Sequence, residues 1–185
     1  MPKIEAVKQR DLKDCGACCM ECLLKYFGGY VPLEKIRDDT CTGVNGTTAF
    51  HIIKALCSYG FDAMGVKAND LQDENSHTQQ SNINLSKLKE VSSIIGEEKI
   101  QNGLQHFVVI YKITTKTVYL MDPAKGKVKM TIEDFEKIWD NILILATPSG
   151  NILRYTKEMS VISLFGKLLL KNKYLFLKIL IVNFL

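Results

Sequence analysis

The sequence has little or nothing of several features that define broad protein classes. It contains one tryptophan and four prolines in 185 residues, and no internal repeat is visible, so a collagen-like or repeat protein is excluded. Residues 1–14 hold no apolar run of seven or more, so we expect no secretory signal and a chain that stays on the cytoplasmic side of the membrane. No Gly-x-x-x-x-Gly-Lys-Ser/Thr loop occurs, so these residues do not encode ATP hydrolysis.

An excess of charge of one sign is also absent from most of the chain. Residues 151–185 contain six Lys or Arg and one Glu, which leaves 18 basic and 19 acidic side chains in residues 1–150. The net charge of +4 therefore comes from the tail, and no basic domain suggests a nucleic-acid partner. An apolar content of 46% with 24% charged residues is typical of a folded domain.

The tail is strongly apolar, although no run in it reaches the roughly 20 residues that a spanning helix needs. Its two apolar runs, 161–170 and 174–185, are separated by Lys171 and Lys173, and lysines are enriched on the cytoplasmic flanks of membrane helices. We predict one domain over residues 1–150, followed over 151–185 by a basic linker, an interfacial helix and the start of a transmembrane segment. The alternative is an amphipathic helix packed on the domain, but the runs leave little polar face.

Periodicity and turn signals predict helices first and strands afterwards. The predicted helices are 14–27, 33–38, 48–59 with Thr47 as its cap, and 132–139 with Thr131 as its cap. The predicted strands are 61–67, 106–113, 117–122, 127–130 and 142–146, with a polar surface excursion at 69–84. The pattern over 85–103 does not decide between helix and strand. Helices followed by an antiparallel meander indicate an α+β fold.

Four of the six cysteines lie on one face of the first predicted helix: Cys15, Cys18, Cys19 and Cys22. Free cysteine packs as a small apolar residue, so we expect the last three in the core. A metal site is the alternative, but tetrahedral sites usually take their ligand pairs from separate turns, and we predict none here. So few and so clustered cysteines indicate free thiols in a reducing compartment.

Cys15 differs from the other three because it follows the predicted cap Asp14 directly and occupies the first helical turn. Unpaired backbone N–H groups and the helix dipole favour an anion there, such as a thiolate. Cys15 is therefore a candidate nucleophile, with burial in the core as the open alternative.

His106 and Asp122 mark the outer ends of two predicted strands joined by a short loop. An odd-numbered loop centred on Thr114 would place three pairs face to face: His106 and Asp122, Val108 and Leu120, Ile110 and Val118. The carboxylate could then accept a hydrogen bond from the imidazole, fix its tautomer and favour the imidazolium. A two-residue loop would instead put His106 and Asp122 on opposite faces. The sequence after Asp122 also suits a turn.

A thiol at a helix start, an imidazole and an orienting carboxylate together make a cysteine-nucleophile triad. Gln9 lies six residues before Cys15, where its side-chain amide could donate a hydrogen bond to an oxyanion as a carbonyl becomes tetrahedral. The alternative for Gln9 is an exposed loop residue.

Three blocks, 9–20, 106–110 and 122–123, resemble in this order the C39 family of cysteine peptidases. The resemblance covers about residues 3–148, and the tail resembles the lead-in to the membrane domain of the ABC transporters that carry such peptidases. It implies a papain-like fold, with Cys15 as nucleophile, His106 as general base and then acid, Asp122 as the orienting residue and Gln9 as oxyanion donor. The stretch 69–103 lacks the short proline-containing strand that often precedes the family's histidine.

As implied by that resemblance, the substrates would be precursors of bacteriocins and lantibiotics, cleaved after a double-glycine-type motif in a leader that binds as an amphipathic helix. No cofactor is expected in this chain, and ATP would be used by a downstream nucleotide-binding domain. The transporter's transmembrane domain would be a further partner, at the cytoplasmic face of the cell membrane. Two interpretations stay open beside this one: a catalytically inactive domain that only docks substrates, and a Cys-rich metal-binding regulatory domain.

Overall fold

The computed structural model describes residues 4–67, 94–99 and 105–154, and residues 1–154 form one compact unit. The predicted surface excursion at 69–84 and both apolar runs of the tail lie outside the described residues, so their interpretation stays a prediction. None of the helices in the described ranges has the length and apolar character of a membrane span.

The described ranges contain four helices and six strands, and the four helices and five of the strands follow the predicted succession. The helices are α1 (Cys15–Tyr26), α2 (Leu33–Asp39), α3 (Ala49–Ser58) and α4 (Ile132–Ile138), and a single 3-10 turn, Leu12–Asp14, precedes α1. The strands are β1 (Phe61–Lys67), β2 (Ile94–Lys99), β3 (Gln105–Ile113), β4 (Thr117–Asp122), β5 (Gly126–Thr131) and β6 (Trp139–Pro148).

Two elements differ from the prediction for identifiable reasons. The cap of α3 is Thr48, whose Oγ1 accepts a hydrogen bond from the His51 N–H at 3.4 Å. The predicted cap, Thr47, instead donates its hydroxyl to the Thr40 carbonyl at 2.6 Å. Strand β2 lies in the stretch for which the pattern did not decide between helix and strand. The pattern is weak there because Gly96 and three charged residues follow two isoleucines. Its position between β6 and β3, inside the sheet, is a tertiary property that local propensity does not encode.

All six strands join one antiparallel sheet in the order β1-β6-β2-β3-β4-β5. Successive residues of β3 enter different core clusters: Phe107 and Val109 pack with the first three helices, whereas Val108 and Ile110 pack with Phe135 of α4. Because neighbouring strand residues point to opposite faces, the sheet is covered on both sides. This explains the continuous apolar run in β3, and it confirms the predicted α+β fold with N-terminal helices packed on an antiparallel sheet.

Helix α1 approaches β3 closely where both elements begin. A Cβ at Gly16 would stand 3.4 Å from Phe107 Cδ2 of β3, an ordinary contact distance, but only 2.5 Å from Thr47 Cγ2 in the segment before α3, so only glycine fits here without displacing Thr47. One helical turn further on, the buried Cys19 thiol donates to the Phe107 carbonyl at 3.2 Å. Both contacts hold the start of α1 against the start of β3, which is where the candidate thiol and imidazole lie.

The chain after β6 returns to the C-terminal ends of α1 and α3. The Ser149 N–H donates to the Gly60 carbonyl at 3.0 Å, and the Leu153 N–H donates to the Tyr59 carbonyl at 2.9 Å. The Leu153 carbonyl in turn accepts from the Tyr30 N–H at 3.2 Å. Gly60 has a φ of +91°, and a Cβ there would stand 2.6 Å from the returning backbone, so this contact also requires glycine.

We predict that Gly16→Ala destabilises the protein by about 1–3 kcal/mol, because the added methyl overpacks the contact between α1 and its neighbours. The free energy of unfolding from urea titration measures the effect. Gly43→Ala is the matched control, since a Cβ there meets nothing within 4 Å, and it should change stability by no more than about 0.5 kcal/mol. Equal stabilities of the two variants would contradict the close approach.

Candidate active site

Cys15 is the first residue of α1, and 4% of its surface is exposed. Asp14 is the N-cap residue, as predicted, but its side chain makes no hydrogen bond to the helix. Its carboxylate instead accepts from Arg37 of α2, with Nε 2.9 Å from Oδ1. The N–H groups of the first turn, which have no intrahelical partner, are therefore not capped by Asp14.

The predicted face-to-face pairing of His106 with Asp122 is wrong in register. The observed partner of Ile110 is Leu120 rather than Val118, so the two strands are shifted by two residues. An even shift keeps each side chain on its face, since side chains alternate with a period of two. His106 and Asp122 are consequently diagonal neighbours on one side of the sheet rather than directly opposed.

The shift arises from an even-numbered loop and a β-bulge that compensate each other. Ile113 and Val118 form the last pair before the loop, which leaves residues 114–117 to make the turn. That loop alone would put His106 and Asp122 on opposite faces. A bulge at Tyr111 adds one residue to β3, which returns the two side chains to the same face.

Asp122 contacts His106 from the end of β4. The Asp122 Oδ1 lies 2.8 Å from His106 Nε2, and both residues are buried. The same oxygen accepts the Ala124 N–H at 2.7 Å, as expected of a turn residue, and the Lys125 Nζ lies 3.4 Å from Oδ2. With Nε2 occupied by the carboxylate, Nδ1 is left for the Cys15 thiol, with which the imidazole also interacts.

The charges of this cluster support one another. Burial by itself would lower the pKa of His106, but the hydrogen bonds and charges of Asp122 and Cys15 raise it to about 9. Burial would raise the pKa of Asp122, but the hydrogen bonds from His106 and from the Ala124 N–H lower it to about 2. Imidazolium and carboxylate are therefore both charged at neutral pH. A thiol beside an imidazole that a carboxylate orients is the arrangement of a cysteine nucleophile and its base.

Gln9 is held beside the turn that follows Asp122. Its backbone N–H donates to the Pro123 carbonyl at 3.0 Å, a contact that no sequence signal suggested. Its side chain is half-buried, and the buried Oε1 has no hydrogen-bond partner among the described residues. Buried amide oxygens are nearly always hydrogen-bonded, so Oε1 has capacity left to accept a hydrogen bond, whereas donation to an oxyanion would use the amide nitrogen.

The remaining predicted candidates lie in the core or outside the site. Cys18, Cys19 and Cys22 are buried as predicted, and burial, as the largest cause, raises the pKa of Cys18 and Cys22 to about 12 and that of Cys19 well above its usual value. His51 contacts a hydroxyl of its own helix cap, and His77 lies outside the described residues. Within residues 4–67, 94–99 and 105–154, no group of three or more His, Cys, Asp or Glu is placed to hold a metal ion.

The sequence profile of the peptidase C39 family matches residues 3–151. Among curated relatives, the lactococcin-G-processing and transport ATP-binding protein LagD of Lactococcus lactis subsp. lactis is 34% identical over 94% of this chain and 23% of its own length. The mesentericin-Y105 transport/processing ATP-binding protein MesD of Leuconostoc mesenteroides is 25% identical over 99% of this chain and 24% of its own length. The chain thus spans about a quarter of these relatives.

Solved structures show the same fold. A double glycine motif protease from an AMS/PCAT transporter, in complex with the leader peptide, has a TM-score of 0.64 and 28% identity over 79% of this chain and 92% of that one. The peptidase domain of Streptococcus ComA, a bi-functional ABC transporter, has a TM-score of 0.65 and 23% identity over 79% of this chain and 99% of that one.

The fold defines the protein class as papain-like cysteine peptidase, and the buried thiol, imidazole and carboxylate are the groups that such a hydrolase uses. With the profile matching nearly the whole of the described unit, the chain belongs to the peptidase C39 family.

The two pKa shifts link the stability of the fold to pH. The pKa of folded His106, about 9, lies above its ordinary 6.5, so its contribution is complete below pH 6.5 and is lost as the pH rises through 9. The pKa of folded Asp122, about 2, lies below its ordinary 3.8, so its contribution is complete above pH 3.8 and is lost as the pH falls through 2. Both residues contribute fully to stability between pH 3.8 and pH 6.5.

We predict that Asp122→Asn lowers the midpoint of the His106 imidazole titration below about 9. Burial lowers the pKa of the ring, and the substitution removes the carboxylate charge that raises it. Ring-proton chemical shifts followed by NMR across pH give the midpoint. Asp134→Asn is the control, since it neutralises an exposed carboxylate at the start of α4, and it should leave the midpoint unchanged. A His106 midpoint that does not move in Asp122→Asn would contradict the ion pair.

Proposed function

We propose that this chain is a leader peptidase that cleaves precursor peptides after a double-glycine-type motif and that works together with an exporter of bacteriocin-like peptides. The observation that carries the proposal is the buried cluster at the start of α1 and β3, in which Asp122 binds His106 at 2.8 Å and the imidazole interacts with Cys15. Relatives named for processing and transport, and a related protease solved with a leader peptide, support it.

In the first half of the reaction, the Cys15 Sγ attacks the carbonyl carbon of the residue before the scissile bond. The carbonyl oxygen becomes an oxyanion, to which the side-chain amide of Gln9 donates a hydrogen bond. The carbon–nitrogen bond then breaks, and His106 gives its Nδ1 proton to the leaving amine. The leader stays bound to sulfur as a thioester.

In the second half, the neutral His106 accepts a proton from water as the water oxygen attacks the thioester carbonyl. The carbon–sulfur bond breaks, and the thiolate and imidazolium are restored. Asp122 keeps its bond to Nε2 throughout, so Nδ1 faces the sulfur in both halves. The reaction needs no cofactor in this chain.

The burial of the site supports a substrate with small residues beside the scissile bond. Cys15 and His106 are 4% and 7% exposed, which favours a substrate with little side-chain bulk next to them. Two exposed apolar side chains lie close by. Leu12 belongs to the turn directly before Cys15. Val44 belongs to a loop that lies against this turn, since a Cβ at Gly46 would be 3.6 Å from the Lys13 carbonyl. An amphipathic leader helix would bind on such a surface.

The wider partners also belong to this proposal. The tail, residues 151–185, would lead into a transmembrane domain, and a downstream nucleotide-binding domain would use ATP to drive export. The peptidase would then lie at the cytoplasmic face of the cell membrane, where precursor peptides are made.

We expect Cys15→Ala to abolish cleavage of a synthetic double-glycine leader peptide while its binding persists, because the substitution removes the nucleophile and leaves the docking surface unchanged. Cleavage is followed by mass spectrometry and binding by fluorescence anisotropy. Cys57→Ala is the matched control, because it removes an exposed thiol from α3, and it should cleave at the wild-type rate. Cleavage by Cys15→Ala would exclude the triad, and a wild type that binds without cleaving would favour the inactive docking domain.

His106→Ala should lower kcat more than Asp122→Asn does, because the first removes the base and the second only its orientation. By analogy with a serine triad, losses on the order of 10⁶-fold and 10⁴-fold are expected. Single-turnover cleavage rates measure them. Equal losses would mean that Asp122 does more than orient the ring.

A further inference from the structure

A fully buried carboxylate lies directly before the candidate nucleophile. Asp14 is 0% exposed. Its Oδ1 accepts from Arg37 Nε at 2.9 Å, and its Oδ2 accepts from Arg37 Nη2 at 2.5 Å. Two parallel charge-assisted bonds between a guanidinium and a carboxylate are among the strongest and most directional hydrogen bonds in proteins.

These bonds fasten the segment that leads into Cys15. The Asp11 N–H donates to Asp14 Oδ2 at 3.1 Å, and the Asp14 N–H donates back to the Asp11 carbonyl at 3.1 Å, which closes the 3-10 turn. Arg37 then ties the closed turn to α2. Because this turn is the covalent link between Gln9 and Cys15, the ion pair fixes the path of the chain between them.

The pair also sets the charge around the first turn of α1. After burial, which is the largest cause, the charge of Asp14 raises the pKa of Cys18, and the charge of Arg37 lowers it. The two charges are therefore felt by a thiol of this helix. Without Arg37, Asp14 would be a buried, uncompensated negative charge directly before Cys15, and a like charge nearby disfavours an anion.

We propose that Asp14 and Arg37 are positioning residues for peptide cleavage: their ion pair clamps the turn that carries Cys15 and balances the buried charge of Asp14, the residue directly before it. The inference rests on the proposed peptidase function and adds two residues to it. The guanidinium acts from the protein surface, since the Arg37 side chain is 29% exposed.

Other titratable groups lie around Cys15, and the test holds them constant. His106 comes from β3, and the thiols Cys18 and Cys19 come from α1 itself. Asp122 of β4 contacts His106 rather than the sulfur.

The experiment measures how readily Cys15 is alkylated by iodoacetamide as a function of pH, in the full chain. Peptide mass spectrometry distinguishes an adduct on Cys15 from adducts on Cys41 and Cys57, which are exposed. We expect Arg37→Met to raise the pH midpoint of alkylation by about one unit, since it leaves Asp14 unpaired. Asp14→Asn should lower the midpoint, and the double variant should return close to wild type.

Two further variants separate charge from simple damage. Arg37→Lys keeps the cation but loses the two-bond geometry, so its alkylation midpoint should stay near wild type. Lys25→Met breaks the Glu21–Lys25 pair of 2.7 Å at the other end of α1 and should leave the midpoint unchanged. The acidic limb of kcat/KM for leader cleavage should follow the same order as alkylation.

The inference is supported if the pH midpoint of Cys15 alkylation follows the charge left at the pair: highest in Arg37→Met, intermediate in the double variant and lowest in Asp14→Asn. Equal midpoints in all variants, with only thermal stability lowered, would overturn it. If Arg37→Met does not fold, the comparison of Asp14→Asn with the double variant decides in the same way. Alkylation requires no leader peptide, so the two proposals can fail separately. A wild type that does not cleave the leader would overturn the proposed function, and the order of the alkylation midpoints would still test the role of Asp14 and Arg37.

Discussion

The hydrogen bond between His106 and Asp122 depends on one extra residue in β3. Without the bulge at Tyr111, the loop of this hairpin would turn imidazole and carboxylate to opposite faces of the sheet. The end of the same hairpin also holds Gln9, through the Pro123 carbonyl. A single supersecondary unit therefore organises three of the four side chains that the proposed reaction uses, and only the sulfur comes from elsewhere.

The sulfur lies at the closely packed start of a helix. Gly16 lets α1 approach the segment before α3 until a side chain no longer fits beside Thr47, and the Cys19 thiol donates a hydrogen bond to the Phe107 carbonyl of β3. Since β3 is buried on both faces, it is a rigid support rather than a flexible edge. Close packing around the first turn of α1 thus holds the sulfur in position, as a larger hydrogen-bond network does for the reactive groups of other sites.

The sequence predicted those parts that rest on local signals. The helix start at Cys15, the strands that carry His106 and Asp122, and the buried face formed by Cys18 and its neighbours follow from caps and periodicity. The register did not follow, because a bulge changes pairing without leaving a mark on the apolar pattern. Strand β2 and the partner of Asp14 were missed because both are defined by distant segments, and one sequence carries no information on which segments meet.

The return of the chain over residues 149–154 has a mechanical consequence. Tension applied beyond Arg154 would load the hydrogen bonds of Leu153 to Tyr59 and Tyr30 first, at the C-terminal ends of α3 and α1. Cys15 sits at the opposite end of α1, about 17 Å away for a helix of this length. A load on the chain at Arg154 would therefore meet these hydrogen bonds before it reached the geometry around the sulfur.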